Sequence, residues 1–235
     1  MQYKIFTLFI LSFFTISKVS SQDIEDVSTI DRSKLLVNGI TISKSIVDSI
    51  QTQTNKKFEP LKFYHWKDSI IDTTNYGHWD STIHGIYVKR INEGFAREIF
   101  DQFYAPVVRE GNYIYLTHLD FDSSLKETYY DIAIVRAENQ FEVLKRVETQ
   151  APNYDISNQK IIDKLKEWDK EVNFKMVVAD EDRFEALMLN KPKDLKKFAQ
   201  EVYEFCPDVI DQGYGSMKDM LKDYKENNYF WLWWD

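Results

Sequence analysis

Cysteine is almost absent from this chain of 235 residues, which contains a single one, Cys206. One cysteine cannot form an internal disulfide bond, so a disulfide-stabilised fold is excluded and stability has to come from packing. Glycine is also scarce, with 7 residues, whereas aromatic residues make up 15% of the chain. This combination favours a well-filled globular core over a disordered chain.

The chain has fewer positively charged than negatively charged residues. The chain has 30 Lys and Arg residues against 38 Asp and Glu residues, and its formal net charge is −8. An acidic surface repels nucleic-acid phosphates and anionic lipid headgroups, so we expect no nucleic-acid partner and no membrane association of the mature chain. Such a surface suits a basic protein partner or a cation, although acidity also serves solubility alone.

The first 21 residues contain the long hydrophobic run of the chain. Lys4 provides a positive charge, Ile5 to Ile16 is almost wholly apolar, and Val19-Ser20-Ser21 supplies small or modest residues ahead of a cleavage point. This pattern predicts a signal peptide over residues 1–21. The apolar run is too short to span a bilayer comfortably, and no cysteine lies directly after it to carry a lipid. We therefore expect an exported protein, periplasmic or extracellular, with a flexible leader over residues 22–33.

The remaining residues, 34–235, are predicted to form a single α+β domain. Strands are expected near residues 84–89 and 113–119, where aromatic and β-branched residues are frequent. Between them, Glu93 to Tyr104 repeats apolar residues at the i, i+3, i+4 spacing of a helix with one buried face. Pro106 lacks a backbone N–H, so we expect this helix to end just before it.

The C-terminal half, from Tyr129, has a regular order of elements. The pattern predicts a strand, two helices, two strands, two helices and a final strand, which is the order of a split β-α-β-β-α-β arrangement with extra helices. A polar hairpin loop at residues 180–183 joins the two middle strands. The final strand, Tyr229 to Trp234, is almost entirely aromatic, and an open sheet edge of that composition would promote aggregation. We therefore expect strands of the first half to lie beside it, in a mixed, mostly antiparallel sheet with helices packed on it.

Few side chains point to a particular chemistry. Cys206 lies on the apolar face near the C-terminus of a predicted helix, where the helix dipole raises the pKa of a thiol, so we interpret it as structural. The histidines His65, His78, His84 and His118 lack the close spacing of a zinc site. We therefore predict no metal site and no cofactor, and we assign no catalytic residue.

Acidic and aromatic residues near the C-terminus are candidates for binding or for a structural polar network. The carboxylates Glu201, Asp208 and Asp235 can cap backbone groups or accept from indoles or, if they converge in a cleft, serve a hydrolase. Tryptophans at alternate positions of the last strand offer either a sugar-stacking platform or core packing. The full candidate set is Glu201, Asp208, Gln212, Trp231, Trp233, Trp234 and Asp235.

The same region resembles a bacterial family of unknown function. The resemblance is carried by Glu201, Phe205-Cys206-Pro207-Asp208, Gln212-Gly213 and the ending Trp233-Trp234-Asp235. Tyr129-Tyr130-Asp131-Ile132 also fits the family pattern, which therefore covers about residues 129–235 and extends back to residue 84 at most. Leu232 departs from the family, where Phe is usual, and the signal peptide is a second departure. The resemblance implies no catalytic activity.

Two functions are compatible with these patterns. The first is a non-catalytic binding or interaction protein with a basic protein as its partner, for example a toxin that it neutralises. The second is a hydrolase or carbohydrate-binding protein that uses Glu201, Asp208 or Asp235. Convergence of these carboxylates in an open cleft would favour the second function, and their burial in paired networks would favour the first.

Overall fold

The computed structural model describes residues 33–66, 77–80, 84–124 and 126–234. The predicted signal peptide, all of the predicted leader except Ser33, and Asp235 lie outside the described residues, as do the side chains of His65 and His78. The chain from Ser33 onward forms one compact unit.

Strands account for much of this unit. They are β1 (Lys34–Val37), β2 (Ile40–Ser43), β3 (Glu59–Pro60), β4 (Phe63–Trp66), β5 (Gly77–Asp80), β6 (Gly85–Asn92), β7 (Asn112–Phe121), β8 (Thr128–Arg136), β9 (Phe174–Ala179), β10 (Arg183–Met188) and β11 (Tyr229–Trp233). β1 pairs with β2 and β4 pairs with β5 in two small hairpins. The other strands form one seven-stranded sheet in the described part of the chain.

The helices lie between these strands along the chain. They are α1 (Lys44–Thr54), α2 (Glu93–Arg109), α3 (Gln140–Val147), α4 (Asn158–Val172), α5 (Leu195–Phe205) and α6 (Met217–Asn227), together with a 3-10 turn (Pro152–Tyr154) and a π-helix (Val209–Tyr214). Several begin at side-chain caps: Ser157 Oγ accepts from Lys160 N at the start of α4, and Ser216 Oγ accepts from Asp219 N at the start of α6. Both caps satisfy backbone N–H groups that have no partner within the helix.

The large sheet has the strand order β11-β10-β9-β7-β8-β6-β3. Neighbouring strands are antiparallel, except that β7 and β9 run parallel, with Leu116 opposite Val178. The predicted α+β class, with a mixed and mostly antiparallel sheet and helices packed on it, is confirmed.

Both faces of the sheet are covered by apolar side chains. On one face, Ile114 and Ile132 pack with α1 and α2. On the other, the next residues along the same strands, Tyr115 and Ala133, pack with residues of α3 to α6. Because successive side chains of a strand point to opposite faces, the continuous apolar run in β8 is buried on both sides.

The C-terminal strands are arranged differently from the predicted split arrangement. The order of elements along the chain is as predicted, but β9, β10 and β11 are consecutive antiparallel neighbours, and β7 separates β9 from β8. A split crossover is found instead in the first half. There β6 and β7 are both antiparallel to β8, which lies between them, and α2 connects them.

The prediction that first-half strands lie beside the terminal strand is wrong, because β11 forms an edge of the sheet and, within the described residues, pairs with β10 alone. The segment after α5 reaches this edge. Cys206 Sγ donates to the Trp233 carbonyl at 3.1 Å, and the Tyr214 ring lies 5.2 Å from the Trp231 ring. Covering an edge with a neighbouring segment prevents its pairing with another chain, so a further strand is not required there.

The predicted end of the helix before Pro106 is also wrong, since α2 continues to Arg109 with Pro106 inside it. A proline in a helix removes one backbone hydrogen bond and costs about 3 kcal/mol. Val107, the next residue, is fully buried in the core that α2 forms with the sheet. Burial of such a side chain contributes about 1.5–3 kcal/mol, which offsets much of the cost of the proline.

Candidate functional site

Two β-bulges meet at one carboxylate near the end of the sheet. The register shifts in β6 between Val88 and Ile91 and in β7 between Thr117 and Asp120. Arg90 and His118 sit in these bulges with φ of 53° and 51°. Asp131 of β8, the strand between them, accepts from Arg90 N at 2.7 Å through Oδ1, and its Oδ2 lies 3.0 Å from His118 Nδ1. One carboxylate therefore stabilises two backbone conformations that non-glycine residues seldom adopt.

His118 is held close to negative charge. Burial alone would lower its pKa, but the hydrogen bond to Asp131 and the charges of Asp180 and Glu181 outweigh this effect, so the pKa of His118 is raised above its ordinary value. The imidazole is therefore protonated over a wider pH range than a free histidine.

The turn between β9 and β10 is fixed to its surroundings. Within it, Asp180 N donates to Arg183 O at 2.8 Å. Thr149 Oγ1 donates to the Asp180 carbonyl at 2.6 Å, and Leu119 N, in the bulge of β7, donates to Asp180 Oδ2 at 3.1 Å. Gln150 N donates to the carbonyl of Glu181 at 2.8 Å. The turn is thus connected both to the loop after α3 and to β7, and the Asp180 carboxylate has a defined position.

A cavity of about 660 Å³ opens between this turn, the end of β7 and the end of β11. We call it the acidic–aromatic cleft, and its lining residues are His118, Leu119, Phe121, Asp180, Glu181, Asp182, Arg183 and Trp233. Phe121 is a large apolar side chain that remains 48% exposed. The cleft therefore combines three consecutive acidic residues with accessible aromatic surface.

The Asp182 carboxyl lies close to the negative charge of Asp180. Desolvation by surrounding atoms and the nearby charge of Asp180 raise the pKa of the Asp182 carboxyl, although Asp182 as a residue is exposed. A hydrogen bond from the Trp233 indole partly offsets this rise. A raised carboxyl pKa means that the ionised form is held at a cost, which a cation bound in the cleft would reduce.

Arg183, the arginine of the cleft, is already paired. Its Nε donates to Glu185 Oε1 at 2.6 Å, and Glu185 is only 1% exposed. Glu185 Oε2 accepts from Arg97 Nη2 at 2.7 Å and from the hydroxyl of Tyr229. Burial would raise the pKa of Glu185, but the two guanidinium groups outweigh it and hold the pKa below its usual range. Much of the positive charge of Arg183 is therefore neutralised by Glu185, which does not line the cleft.

Comparison with protein families gives one match. Residues 131–235 match the model of a domain of unknown function, DUF4253. The predicted resemblance of the C-terminal part to a domain-of-unknown-function family is thus confirmed. No curated protein and no solved structure matches the chain.

The DUF4253 match and the cleft overlap but do not coincide. Asp131, the acidic turn and Trp233 lie inside the matched residues. His118 and Phe121 belong to β7 and precede the match. The cleft is therefore assembled from the DUF4253 region and from the strand that lies between two of its strands.

The predicted carboxylate candidates lie in separate environments. Glu201 Oε2 accepts from Trp168 Nε1 at 3.2 Å, and Glu201 Oε1 lies 3.5 Å from Lys197 Nζ. Asp208 is buried and accepts from the hydroxyl of Tyr154 at 2.6 Å. The cavity that Glu201 lines does not include Asp208, and neither residue lines the acidic–aromatic cleft. Gln212 is exposed on the π-helix.

The three tryptophan candidates also have different surroundings. Trp233 lines the cleft. Trp231 donates from Nε1 to the hydroxyl of Tyr214 at 2.9 Å and is half-buried against the π-helix. Trp234 is buried in the core, with Nε1 3.4 Å from the Phe205 carbonyl. Among the candidate residues that the structure describes, Trp233 is thus the one that lines the cleft.

The predicted burial of Cys206 is confirmed. Its side chain is fully buried, and burial raises the pKa of the thiol to about 12. Within the described residues, no three His, Cys, Asp or Glu side chains are placed to hold a metal ion together. No helix in the same part of the chain has the length and apolar character needed to span a membrane.

The sequence does not indicate that His118, Asp131 and the acidic turn are parts of one site. Residues 180–183 have the composition of a polar hairpin loop, and Asp131 lies within a family motif. A bulge is not visible in hydrophobic periodicity, and the contact between Leu119 and Asp180 joins residues 61 positions apart. The two acidic signals were therefore present in the sequence without any sign that they converge.

Proposed function

We propose that the protein is a non-catalytic binding protein that acts after export and receives a basic region of a protein partner in the acidic–aromatic cleft. A cationic toxin that the protein neutralises is an example of such a partner. The observation that carries the proposal is the fixed turn Asp180-Glu181-Asp182 beside Trp233 and the exposed Phe121. Oppositely charged surfaces accelerate encounter and select partners, and the whole chain is acidic as well.

The cleft would form the centre of a larger contact. A stable protein–protein interface buries about 800 Å² on each partner, which is more than a cleft of this size provides. Most of the binding energy usually comes from a few central residues in desolvated pockets. Phe121, Trp233 and the acidic turn are suited to that central position, with the surrounding surface serving to exclude water.

Capture of partners from the native cell envelope tests the proposal. The wild-type chain is compared with Glu181→Gln/Asp182→Asn, which removes two charges of the cleft, and with Asp163→Asn/Glu167→Gln, which removes two exposed charges of α4. We expect the wild type and the α4 variant to retain the same basic protein, and the cleft variant to lose it. Binding should also weaken as salt concentration rises. Retention by the cleft variant would contradict the proposal.

Export is tested independently by the N-terminus of the chain. If the signal peptide is removed as proposed, the protein recovered from the exported fraction begins at Gln22, and mass spectrometry of the intact chain detects this directly. Recovery of the uncleaved chain inside the cell would contradict this part of the proposal.

A hydrolase is the second candidate, and one observation favours it. His118 is oriented by Asp131 at the cleft, and a histidine held by a carboxylate is a common general base. If the protein is a hydrolase, this pair carries the chemistry in place of Glu201 and Asp208, which lie elsewhere. Turnover of an ester, peptide or glycoside panel that is abolished by His118→Asn, with folding retained, would support the hydrolase and overturn the non-catalytic proposal.

A further inference from the structure

The aromatic side chains of the acidic–aromatic cleft indicate which kind of cation binds there, which the acidic turn alone does not. An acidic turn attracts any cation. Phe121 is 48% exposed at the mouth, and Trp233 is half-buried with its indole directed to Asp182. A cation that enters the cleft therefore contacts carboxylates and aromatic rings together. Arginine and lysine side chains differ in the contacts that they make with such groups.

Arginine and lysine differ in shape and hydration. The guanidinium group is planar, carries five N–H donors in a fixed fork and stacks on aromatic rings. It is also more weakly hydrated than an ammonium group, so less energy is lost when it is enclosed. The ammonium group of lysine is compact and strongly hydrated, and it makes neither stacked nor bidentate contacts.

The carboxylates of the cleft are positioned for several donors. Asp180 is held by backbone N–H groups of Leu119 and Glu181, so its side chain does not need to be ordered when a ligand binds. Asp182 lies two residues further along the same fixed turn. A volume of about 660 Å³ is large enough for an arginine or a lysine side chain, so the donor geometry and the aromatic surface, and not the available space, separate the two.

We infer that the group recognised in the acidic–aromatic cleft is an arginine side chain of the partner, in preference to lysine. This inference rests on the proposed function, because it identifies the residue that the basic partner inserts. The guanidinium stacks against Phe121 or Trp233 and donates hydrogen bonds to the carboxylates of Asp180 and Asp182.

Three short peptides test the inference. Acetyl-Gly-Arg-Gly-amide, the lysine equivalent and the citrulline equivalent differ in one side chain, and citrulline retains the shape of arginine without its charge. Binding is followed by the NMR signal of the Trp233 indole N–H, assigned by its loss in Trp233→Phe. We expect the arginine peptide to bind at least about tenfold more tightly than the lysine peptide, and the citrulline peptide to give no saturable shift.

Two variants separate the charge from the aromatic contribution. Glu181→Gln/Asp182→Asn should remove binding of both charged peptides, and Phe121→Ala, at an exposed position, should reduce the preference for arginine over lysine. Asp163→Asn/Glu167→Gln on α4 is the matched control and should change neither affinity.

The outcomes distinguish the inference from the proposed function. Equal affinity for arginine and lysine that the cleft variant abolishes would overturn the arginine preference and leave the proposed function in place. No shift of the Trp233 signal with any cationic peptide would overturn both. Arginine binding that survives the cleft variant would place the site elsewhere and would also overturn the inference.

Discussion

At the scale of single residues, Asp131 holds three strands in their observed conformation. Its two oxygens bind Arg90 N in β6 and His118 in β7, on either side of its own strand. Both bound residues have positive φ, so the carboxylate compensates for backbone conformations that would otherwise be unfavourable. His118 contributes to this arrangement through its charge, which makes the arrangement sensitive to pH.

We predict that His118→Asn is more destabilising at pH 6 than at pH 9. The pKa of His118 is raised in the folded state, so its stabilising contribution is fully present below the ordinary histidine pKa and is lost as the pH rises through the folded value. Asparagine is chosen because it tolerates positive φ. Urea unfolding of the wild type and the variant across this pH range measures the difference.

The control for this prediction is the same substitution in an Asp131→Asn background. If the pair with Asp131 is responsible, the pH dependence of the His118→Asn effect should be much smaller there. A difference that grows with rising pH, or one that is unchanged by Asp131→Asn, would show that another group is responsible.

Glu185 is the second residue with a large effect on its surroundings. It is buried and paired with Arg97 and Arg183, so Glu185→Gln would leave two guanidinium groups without their carboxylate. We predict a loss of about 3–5 kcal/mol in the free energy of unfolding, measured with urea. Glu167→Gln, which removes an exposed pair with Lys164, should change it by no more than about 0.5 kcal/mol. A similar small effect for Glu185→Gln would contradict the buried-pair argument.

At the scale of elements, β11 shows how an aromatic strand is accommodated at a sheet edge. Its buried residues Phe230 and Leu232 pack into the core with α5 and α6, and Trp231 lies against the π-helix. The π-helix can approach this closely because residue 213 is a glycine. A Cβ atom at Gly213 would lie 2.2 Å from Cη2 of Trp231.

We therefore predict that Gly213→Ala destabilises the fold by about 1–3 kcal/mol, the usual range for overpacking a filled site. The change in urea midpoint measures this effect. Gly94→Ala is the matched control, because the nearest atom to its added Cβ is 3.6 Å away and the position is in the first turn of α2. It should be neutral or slightly stabilising. Equal effects of the two substitutions would mean that the π-helix is not packed on Trp231 as described.

At the scale of the whole molecule, the sheet joins the DUF4253 region to the residues before it. β7 precedes the matched residues but lies between β8 and β9. Without β7, the edges of both neighbours would be open and the apolar residues that β7 contributes to each face would be missing. We therefore infer that the matched region of this chain does not fold without β7.

We predict that a fragment of residues 126–235 fails to fold, whereas residues 33–235 unfold in one cooperative transition. Circular dichroism and binding of a hydrophobic dye distinguish the two, since the fragment should expose apolar surface. A fragment with a cooperative transition and dispersed NMR signals would show that β8 and β9 do not depend on β7.

How much of this structure the sequence predicts depends on how far apart in the chain the interacting residues lie. The helix of Glu93 to Tyr104, the strand around Ile132 and the hairpin loop at 180–183 depend on contiguous residues, so periodicity and turn residues were sufficient to predict them. The predictions that are wrong concern contacts between residues far apart in the sequence. The end of α2 depended on burial of Val107 in the core, and the place of β11 depended on which strands pair.

Local sequence patterns therefore specify the α+β class, most of the helices and strands, and the acidic and aromatic composition of the C-terminal half. The strand order, the edge position of β11 and the meeting of His118, the acidic turn and Trp233 in one cleft depend on how the chain packs in three dimensions. The reason is physical: local backbone preference depends on neighbouring residues, whereas a cleft forms when bulges and strand pairings bring together side chains that no local pattern relates.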